Sequence, residues 1–481
     1  MSLTTRSDMK SIDYFDNNRH CSERFFDLTC LLAQSQTMRN HRLDLSDERV
    51  AATTRGYRYP LSAWPVIISK KRITEFDTFI RSLPGLYHKA MLAMFGNDGE
   101  AFARYLNVPP LVHEMLLAYG FDSHQMLARH DLVFTDGVLK LIEVNAGSTI
   151  GGWQPGLVEP QYREIFQQFD ETRDWNLAHR QAMDRLFGAM RDAIARLPTT
   201  EVTGNVVMYL AEESASTVDL MNSYRAAFMS TDKQSYPRGK LLFSTDFSDL
   251  KFGVDGSVWL AGDRVDAVML TLPEGHELPK GLMMQLLAAN AAQQIVMPDN
   301  PCLTLLGNKL LMALLHEPAL AGHLTYEELA MIQRHIPFTA PLASRTVSFK
   351  GRTSTMRELL HLCQEDFVIK KAHSLQGRDV YVGRFIDRNT WADIVDLHMD
   401  ESDWLVQEYC TADRVVAPAS NGELIEYSFV WGVFDAGGTY GGAFVRGMPA
   451  GTDGSGVINS ATGATEFAVF EEADHKNKIV L

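Results

Sequence analysis

Cysteine is scarce in this chain, and its spacing excludes two classes of protein. The 481 residues include five widely scattered cysteines, namely Cys21, Cys30, Cys302, Cys363 and Cys410. None of them forms a Cys-x-x-Cys pair, so neither a zinc site nor a disulfide framework is indicated. We therefore expect reduced thiols and a cytoplasmic location.

Long apolar segments and an excess of basic residues are also missing. No stretch approaches the roughly 18 uninterrupted apolar residues of a membrane span, and the N-terminus lacks the apolar core of a signal peptide. Lys and Arg number 45 against 60 Asp and Glu, which gives a formal net charge of -15. Phosphate backbones require a basic face, so we expect no nucleic-acid partner and no membrane partner. The sequence leaves the oligomeric state open.

Several catalytic motifs are absent as well. The chain has no GxxxxGK phosphate-binding loop, no GxSxG nucleophile turn and no HExxH zinc motif. His113-Glu114 and His316-Glu317 both lack the second histidine that a metalloprotease helix needs. These absences exclude P-loop nucleotide hydrolases, α/β-hydrolases and zinc proteases by motif.

The pattern of apolar residues divides the chain into differently built parts. We predict helices over residues 73–94 and 99–106, broken by Pro84 and ended by Pro109-Pro110. A long helix is predicted over residues 162–197. Strands then alternate with helices from residue 205 to residue 272, which favours an α/β layer with a mainly parallel sheet.

Three oxygen-bearing side chains lie at the ends of a predicted β-hairpin. Asp131 precedes an apolar strand and a Thr-Asp-Gly turn, and Glu143 and Asn145 end the returning strand. Glu143 and Asn145 are two residues apart, so both leave the same face, and Asp131 can join them from the neighbouring strand. Two carboxylates and an amide oxygen suit Mg²⁺. A solvated surface hairpin explains the spacing equally well.

Two lysines stand out by their context. Lys309 opens a predicted amphipathic helix, and Lys370 ends the apolar strand Phe367-Val368-Ile369 before a polar loop that contains Gly377. A lysine in such a place can contact phosphates as a point charge. Lys371 competes with Lys370 for this role, and strand alternation sends the two to opposite faces.

Two later strands also end in polar groups. One strand ends in Gln407-Glu408, where side chains commonly reach a bound ligand. Another strand delivers Arg446 before a glycine-rich loop, and an arginine there can clamp a phosphoryl group or a carboxylate. A structural ion pair is the alternative reading of Arg446.

The order of these motifs resembles that of the circularly permuted ATP-grasp ligases, including the synthetase part of glutathionylspermidine synthetase. The resemblance covers roughly residues 115–470, and it rests on short motifs in a particular order. The matching motifs are Arg129-x-Asp131, Glu143-x-Asn145, Asn300-Pro301 with Asn308-Lys309, Val368-Ile369-Lys370, Gln407-Glu408, and Gly441-Gly442 with Arg446.

This resemblance implies a mixed α/β fold (α+β), namely a circularly permuted ATP-grasp fold with an N-terminal helical extension. It divides the chain into a helical region over residues 1–115, which we expect to shape the acceptor site, and four further parts. These are a first part of the core with the hairpin (116–197), an α/β domain (198–298), a nucleotide-binding lid (299–412) and the remainder of the core (413–481).

The resemblance also implies a ligase that joins a small-molecule or peptide carboxylate to an amine through an acyl phosphate, with ATP and Mg²⁺. Asp131, Glu143 and Asn145 would bind the metal, and Arg129 and Arg446 would steady the transferred phosphoryl group. The nucleotide would be held by Lys309, Lys370, Gly377, Gln407 and Glu408.

Two other functions stay open at this level. The loop after Lys370 keeps a single glycine, Gly377, where the family has several. This departure motivates a nucleotide-binding scaffold without turnover, whereas the intact set of Asp131, Glu143 and Asn145 argues against it. The third possibility is ATP-dependent modification of a macromolecule by the same fold.

Overall fold

The structure, a computed structural model, describes residues 14–199, 201–210, 215–231, 239–272, 276–374, 377–452 and 454–473. Helices and several separate sheets share this part of the chain, which confirms the predicted mixed α/β class. No helix in the described ranges has both the length and the apolar character that crossing a membrane requires.

The strands of the described chain are numbered in order. They are β1 (Val66–Ile68), β2 (Leu127–Thr135), β3 (Val138–Ala146), β4 (Leu177–His179), β5 (Val206–Tyr209), β6 (Leu241–Ser244), β7 (Lys251–Phe252), β8 (Val258–Leu260), β9 (Asp263–Val265), β10 (Ala267–Met269), β11 (Thr339–Pro341), β12 (Thr346–Phe349), β13 (Arg352–Thr355), β14 (Phe367–Lys371), β15 (Val380–Val382), β16 (Trp404–Glu408), β17 (Arg414–Pro418), β18 (Leu424–Ala436), β19 (Tyr440–Pro449) and β20 (Thr465–Glu472).

The α-helices are numbered in the same way. They are α1 (Glu23–Gln34), α2 (Gln36–Arg39), α3 (Lys70–Phe95), α4 (Gly99–Leu106), α5 (Pro110–Tyr119), α6 (Glu159–Gln168), α7 (Ala182–Ile194), α8 (Ala215–Ser230), α9 (Lys280–Ala291), α10 (Pro301–Thr304), α11 (Leu310–Leu314), α12 (Tyr326–His335), α13 (Met356–Leu362) and α14 (Arg388–His398).

An eight-stranded sheet forms the centre of the molecule. Its main path runs β1-β20-β19-β18-β2-β3, while β17 pairs with β18 and β4 pairs with β20. Only β1 and β20 run parallel; the other pairs are antiparallel. Nine of the ten residues of β19 are buried, so this strand is covered on both faces. We call this the main sheet.

The N-terminal segment is built into the main sheet. β1 pairs with the C-terminal strand β20, and the buried side chains of Trp64 and Val66 lie in the same core as Phe467 and Phe470. Helix α3 contributes Phe76, whose ring packs on aromatic rings of the sheet. Residues 21–106 and 415–470 therefore contribute to one hydrophobic core.

Three helix predictions need correction. Helix α3 continues through Pro84, because burial of its apolar face outweighs the hydrogen bond that proline removes. Pro110 begins α5 at its first helical position instead of ending a segment. The helix predicted over residues 162–197 is two helices, α6 and α7, separated by β4, which pairs with the main sheet.

The α/β layer forms as predicted. Strands β10, β5 and β6 make a three-stranded parallel sheet, with α8 in the connection between β5 and β6. A separate antiparallel sheet, ordered β11-β16-β14-β15, carries its own core around Phe367 and Trp391. We call the β11-β16-β14-β15 sheet the lid sheet, because it lies over one face of the main sheet.

Candidate functional site

A cavity of about 390 Å³ separates the lid sheet from the main sheet. Strands β2, β3, β18 and β19 supply one wall, and β14, β15 and β16 supply the other, while the loop that follows β19 covers one side. We call it the central cavity. All the candidate residues from the sequence lie in its wall or directly behind it, as described below.

The β2–β3 hairpin brings four of these residues to one face. Its turn residues Asp136 and Gly137 have φ of 52° and 71°, the left-handed conformation that Asp-Gly turns favour. The resulting register pairs Asp131 with Glu143 and Arg129 with Asn145. Directly paired residues share a face, so all four side chains leave the same side of the main sheet.

The carboxylate of Asp131 is the centre of this group. It accepts hydrogen bonds from Nε and Nη2 of Arg129 at 2.7 and 3.1 Å, from Nη2 of Arg446 at 2.7 Å and from Nδ2 of Asn145 at 3.3 Å. Burial alone would raise the pKa of Asp131, but the two guanidinium groups hold that pKa well below its usual range. Asp131 is therefore ionised and bonded on both oxygens.

Phe444 supports both arginines. Its ring centroid lies 5.6 Å from the guanidinium carbon of Arg129 and 5.7 Å from that of Arg446. The ring fits between Gly152 and Gly432, where a Cβ on either residue would overlap it. Glycine at these two positions is thus required for the ring to lie under the arginines.

Glu143 faces a lysine from another part of the chain. Its Oε2 lies 3.3 Å from Nζ of Lys309, which also donates to the carbonyl of Ser374 at 3.2 Å. Lys309 precedes α11, and every residue of that helix is buried, so the predicted amphipathic helix is in fact a core helix. Because α11 is buried, the main chain of Lys309 is held in place beneath the cavity.

Lys370 and Lys371 leave opposite faces of β14, as the alternation predicts. Lys370 is 4% exposed and lines the central cavity, where Nζ donates to Oε1 of Gln407 at 2.6 Å and to the carbonyl of Ile142 at 3.4 Å. Burial lowers the pKa of Lys370 to about 8. Lys371 points away and pairs with Asp403 at 3.3 Å.

Gln407 and Glu408 end β16 at the cavity wall. Gln407 is buried and bonded to Lys370, so in this structure it orients that lysine. Glu408 lines the cavity and pairs with Lys350 at 3.0 Å.

Gly377 lies between β14 and β15, close to the loop that follows β19. It has a φ of 72°, and a Cβ there would come within 2.8 Å of Val457. Both the conformation and the close approach favour glycine at this position. Gly377 also lines the central cavity.

Basic residues outnumber acidic ones around the central cavity. Lys370, Arg384, Arg414 and Arg446 line it against Asp131, Glu143 and Glu408. Arg129 and Lys309 approach two of these acids from behind and increase the basic excess. A local positive field in a chain with a net charge of -15 favours an anionic ligand.

Sequence reasoning missed Glu466, a residue of β20 that is paired with Arg446 of β19. Glu466 is 2% exposed and accepts hydrogen bonds from the hydroxyls of Tyr57 and Ser460. Burial raises its pKa, although both hydrogen bonds and the nearby arginines act in the opposite direction. Its position depends on pairing between β19 and β20, and no local motif in the sequence marks it.

Comparison with known proteins reveals a likeness in fold. No protein-family model and no curated protein matches this chain. The solved structure of a glutathione synthetase-like effector from Globodera pallida, in its apo form, aligns with a TM-score of 0.56 at 13% identity, covering 92% of this chain and 97% of that one. A putative gamma-glutamylcysteine synthetase from Methylobacillus flagellatus aligns with a TM-score of 0.32 at 9% identity, over 81% and 88% of the two chains. The first likeness shows that the chain shares the fold of a synthetase-like protein.

Proposed function

We propose that this chain is an ATP- and Mg²⁺-dependent ligase that joins a carboxylate to an amine, built on a circularly permuted ATP-grasp fold. The observation that carries the proposal is the clustering of Lys309, Lys370, Arg129 and Arg446 around Asp131 and Glu143, in and directly behind the wall of the central cavity. The fold that the chain shares with a synthetase-like effector is in keeping with this class.

The charge of this cluster matches that of a magnesium nucleotide. Four cationic and two anionic side chains leave a net charge of about two positive units, taking each group in its usual ionised form. ATP with one bound Mg²⁺ carries a net charge of about two negative units near neutral pH. The ligand would therefore neutralise the cluster, which supports a nucleotide with its metal over the metal alone.

The oxygen ligands fit Mg²⁺ when phosphates complete the coordination. No group of three or more His, Cys, Asp or Glu in the described ranges could hold a metal ion. Asp131, Glu143 and Asn145 instead offer two carboxylates and an amide on one face. Mg²⁺ usually takes one or two carboxylates together with phosphates and water, so this set suits it. When bound there, Mg²⁺ would neutralise charge on the phosphate oxygens.

The reaction that we propose has two steps. An oxygen of the substrate carboxylate attacks the γ-phosphorus of ATP, and the bond to the bridging oxygen breaks to release ADP. The amine nitrogen then attacks the carbonyl carbon of the acyl phosphate, phosphate leaves, and the nitrogen loses a proton. Negative charge accumulates on phosphoryl oxygens in the first step and on the carbonyl oxygen in the second.

The residues of this chain would hold and stabilise that charge. Arg129 and Arg446 are kept in a fixed geometry by Asp131 and Phe444, so their donors need little reorganisation. Lys309 and Lys370 would bind phosphate oxygens as point charges. Gln407 would direct Lys370, and Glu408 would contact the ribose or base.

Product analysis tests the proposal. Purified protein would be incubated with ATP, Mg²⁺ and pairs drawn from panels of amino acids, short peptides and amines, while ADP, phosphate and new amides are quantified. The proposal expects stoichiometric ADP, phosphate and amide only when both substrates are present. Phosphate retained on a macromolecular product would favour the modifying enzyme, and nucleotide binding without any turnover would favour the scaffold.

A further inference from the structure

The central cavity has a second cationic end that the proposed reaction does not use. Arg384, Thr411, Arg414 and Ser428 line the cavity, and none of them contacts the Asp131 cluster described above. We call these four residues the distal end, and we call the part of the wall around Asp131 the Asp131 end.

The register of the main sheet gives the separation of the two ends. Asp131 pairs with Gly432 of β18, and Arg414 of β17 pairs with Ser428 of the same strand. Ser428 and Gly432 are four residues apart, so the two positions share a face and lie roughly 13 Å apart along β18. Arg384 follows β15 and therefore reaches the distal end from the lid sheet.

The distal end presents hydrogen-bond donors and positive charge. Nη1 of Arg414 donates to Oγ of Ser428 at 2.5 Å, and Nη1 of Arg384 donates to Oγ1 of Thr411 at 3.1 Å. A hydroxyl that accepts in this way keeps its own proton for another acceptor, and each guanidinium has further N–H groups. Neither arginine has a carboxylate within ion-pair distance among the described residues. The distal end therefore suits an anion with several oxygens.

The acidic residues nearby are already bonded to other groups. Among the described residues of the cavity wall, Glu408 is the one carboxylate outside the Asp131 end, and it pairs with Lys350 at 3.0 Å. Asp413, which precedes Arg414, accepts hydrogen bonds from the main chain of the β2–β3 turn. The positive charge of the two distal arginines is therefore left for a ligand.

Apolar side chains separate the two ends. Val133 lies two residues beyond Asp131 on β2, and Val430 lies midway between Ser428 and Gly432 on β18. Both valines line the cavity. A ligand that reaches both ends should accordingly carry negative charge at two places, with an uncharged part between them. A ribose with phosphates on two of its oxygens has this distribution of charge.

We propose that the distal end binds a phosphate group on the ribose of a nucleotide whose 5′-phosphates occupy the Asp131 end. Such a phosphate carries nearly two negative charges and three acceptor oxygens, which match two guanidinium groups and two hydroxyls. The inference rests on the proposed function, because it places the nucleotide in the central cavity. It adds a ligand class, namely nucleotides with a further phosphate on the 2′ or 3′ oxygen.

Calorimetry with matched nucleotides tests the proposal on the full chain. The probes are AMP, adenosine 3′,5′-bisphosphate and adenosine 2′,5′-bisphosphate, each with Mg²⁺ at constant ionic strength. The gain in affinity is the dissociation constant of AMP divided by that of a bisphosphate. We expect a gain of at least about tenfold for one or both bisphosphates, because the added phosphate makes charge-assisted hydrogen bonds.

Four variants locate the gain. Arg384→Gln and Arg414→Gln each remove one charge of the distal end, and each should reduce the gain to less than about threefold. Lys370→Met should weaken AMP and the bisphosphates alike, which leaves the gain unchanged. Arg352→Gln removes an exposed arginine of β13 that lies outside the cavity wall, so it should alter neither the affinities nor the gain. Unfolding curves verify that each variant is folded.

Three results would overturn the proposal. The first is binding of AMP and both bisphosphates with equal affinity, which would leave the nucleotide site in place without a distal phosphate site. The second is a gain that persists in both distal variants, or that Arg352→Gln reduces as strongly as they do, since the added phosphate would then respond to other charges. The third is absence of binding by all three probes and by an ATP analogue at millimolar concentration, which would contradict the proposed function as well.

Discussion

The ammonium group of Lys370 lies 2.6 Å from Oε1 of Gln407, on adjacent strands of the lid sheet. The hydrogen bond directs Lys370 toward the hairpin, where its Nζ also reaches the carbonyl of Ile142. Lys370 has no carboxylate within ion-pair distance among the described residues, although Glu143 is near enough to raise its pKa. A buried cation held mainly by neutral acceptors is well placed to receive an anion.

The affinity for nucleotide should depend on pH through this lysine. Because burial lowers the pKa of Lys370 to about 8, the ligand-free protein loses this charge above that pH. Binding of a non-hydrolysable ATP analogue should then weaken by up to about tenfold per pH unit above pH 8. Calorimetric titrations between pH 7 and about 9.5 would measure it. Lys370→Arg stays charged, and an identical pH profile in that variant would assign the effect to another group.

Stability of the ligand-free protein should change in the opposite direction. The pKa of Lys370 is lower in the folded protein than its ordinary value of 10.5, so the unfolded chain binds more protons between these two pKa values. Stability contributed by this group therefore rises with pH from about 8 to 10.5, by at most about 1.4 kcal/mol per unit. Urea unfolding of wild type and Lys370→Met over this range isolates the difference. A difference that stays constant would contradict the lowered pKa.

The two neighbouring lysines of β14 provide a matched pair of variants. Lys370 faces the central cavity and Lys371 pairs with Asp403 on the other face. Lys370→Met should weaken analogue binding by about tenfold or more, because it removes a charge-assisted contact. Lys371→Met should leave the affinity nearly unchanged. Equal losses in the two variants would mean that neither lysine has a specific role.

Asp131 should be important for stability as well as for binding. Asp131→Asn would leave Arg129 and Arg446 buried without their shared carboxylate, and loss of one partner of a buried ion pair costs about 3 to 5 kcal/mol. Asp403→Asn, which breaks the more exposed pair with Lys371, should cost less than about 1 kcal/mol. Urea unfolding of the two variants would compare these losses. Similar losses would show that the Asp131 network contributes little.

Part of this architecture could be predicted from the sequence because it is local. The Asp-Gly turn sets the β2–β3 register, and strand alternation separates Lys370 from Lys371. The ring of Phe444 under two arginines could not be predicted, since it requires Gly152 and Gly432 from distant segments to meet.

Other features depend on tertiary packing that overrides local signals. Helix α3 accommodates Pro84 because its buried face is extensive, and β4 interrupts a helical pattern because β20 offers a free edge for pairing. Buried Glu466 accepts a hydrogen bond from Tyr57, which lies some four hundred residues earlier in the chain. A single sequence carries no marker for such long-range contacts.

Glu143 should make nucleotide binding respond to Mg²⁺. Glu143→Gln removes one of the two carboxylates on the hairpin face without changing side-chain size. The wild type should bind the ATP analogue more tightly with Mg²⁺ than without it, by about tenfold. In Glu143→Gln the two affinities should converge, and the unfolding curve of the variant verifies that it is folded. A full Mg²⁺ response in the variant would place the metal elsewhere.

Calorimetric binding of a non-hydrolysable ATP analogue to wild type and Lys309→Ala, each with and without Mg²⁺, tests the central claim most directly. It requires no knowledge of the acceptor. Lys309 is buried beside Glu143, so we expect binding that depends on Mg²⁺ in the wild type and weakens at least about tenfold in the variant. Absence of binding at millimolar analogue, or equal affinity in both proteins, would contradict a magnesium–nucleotide site in the central cavity.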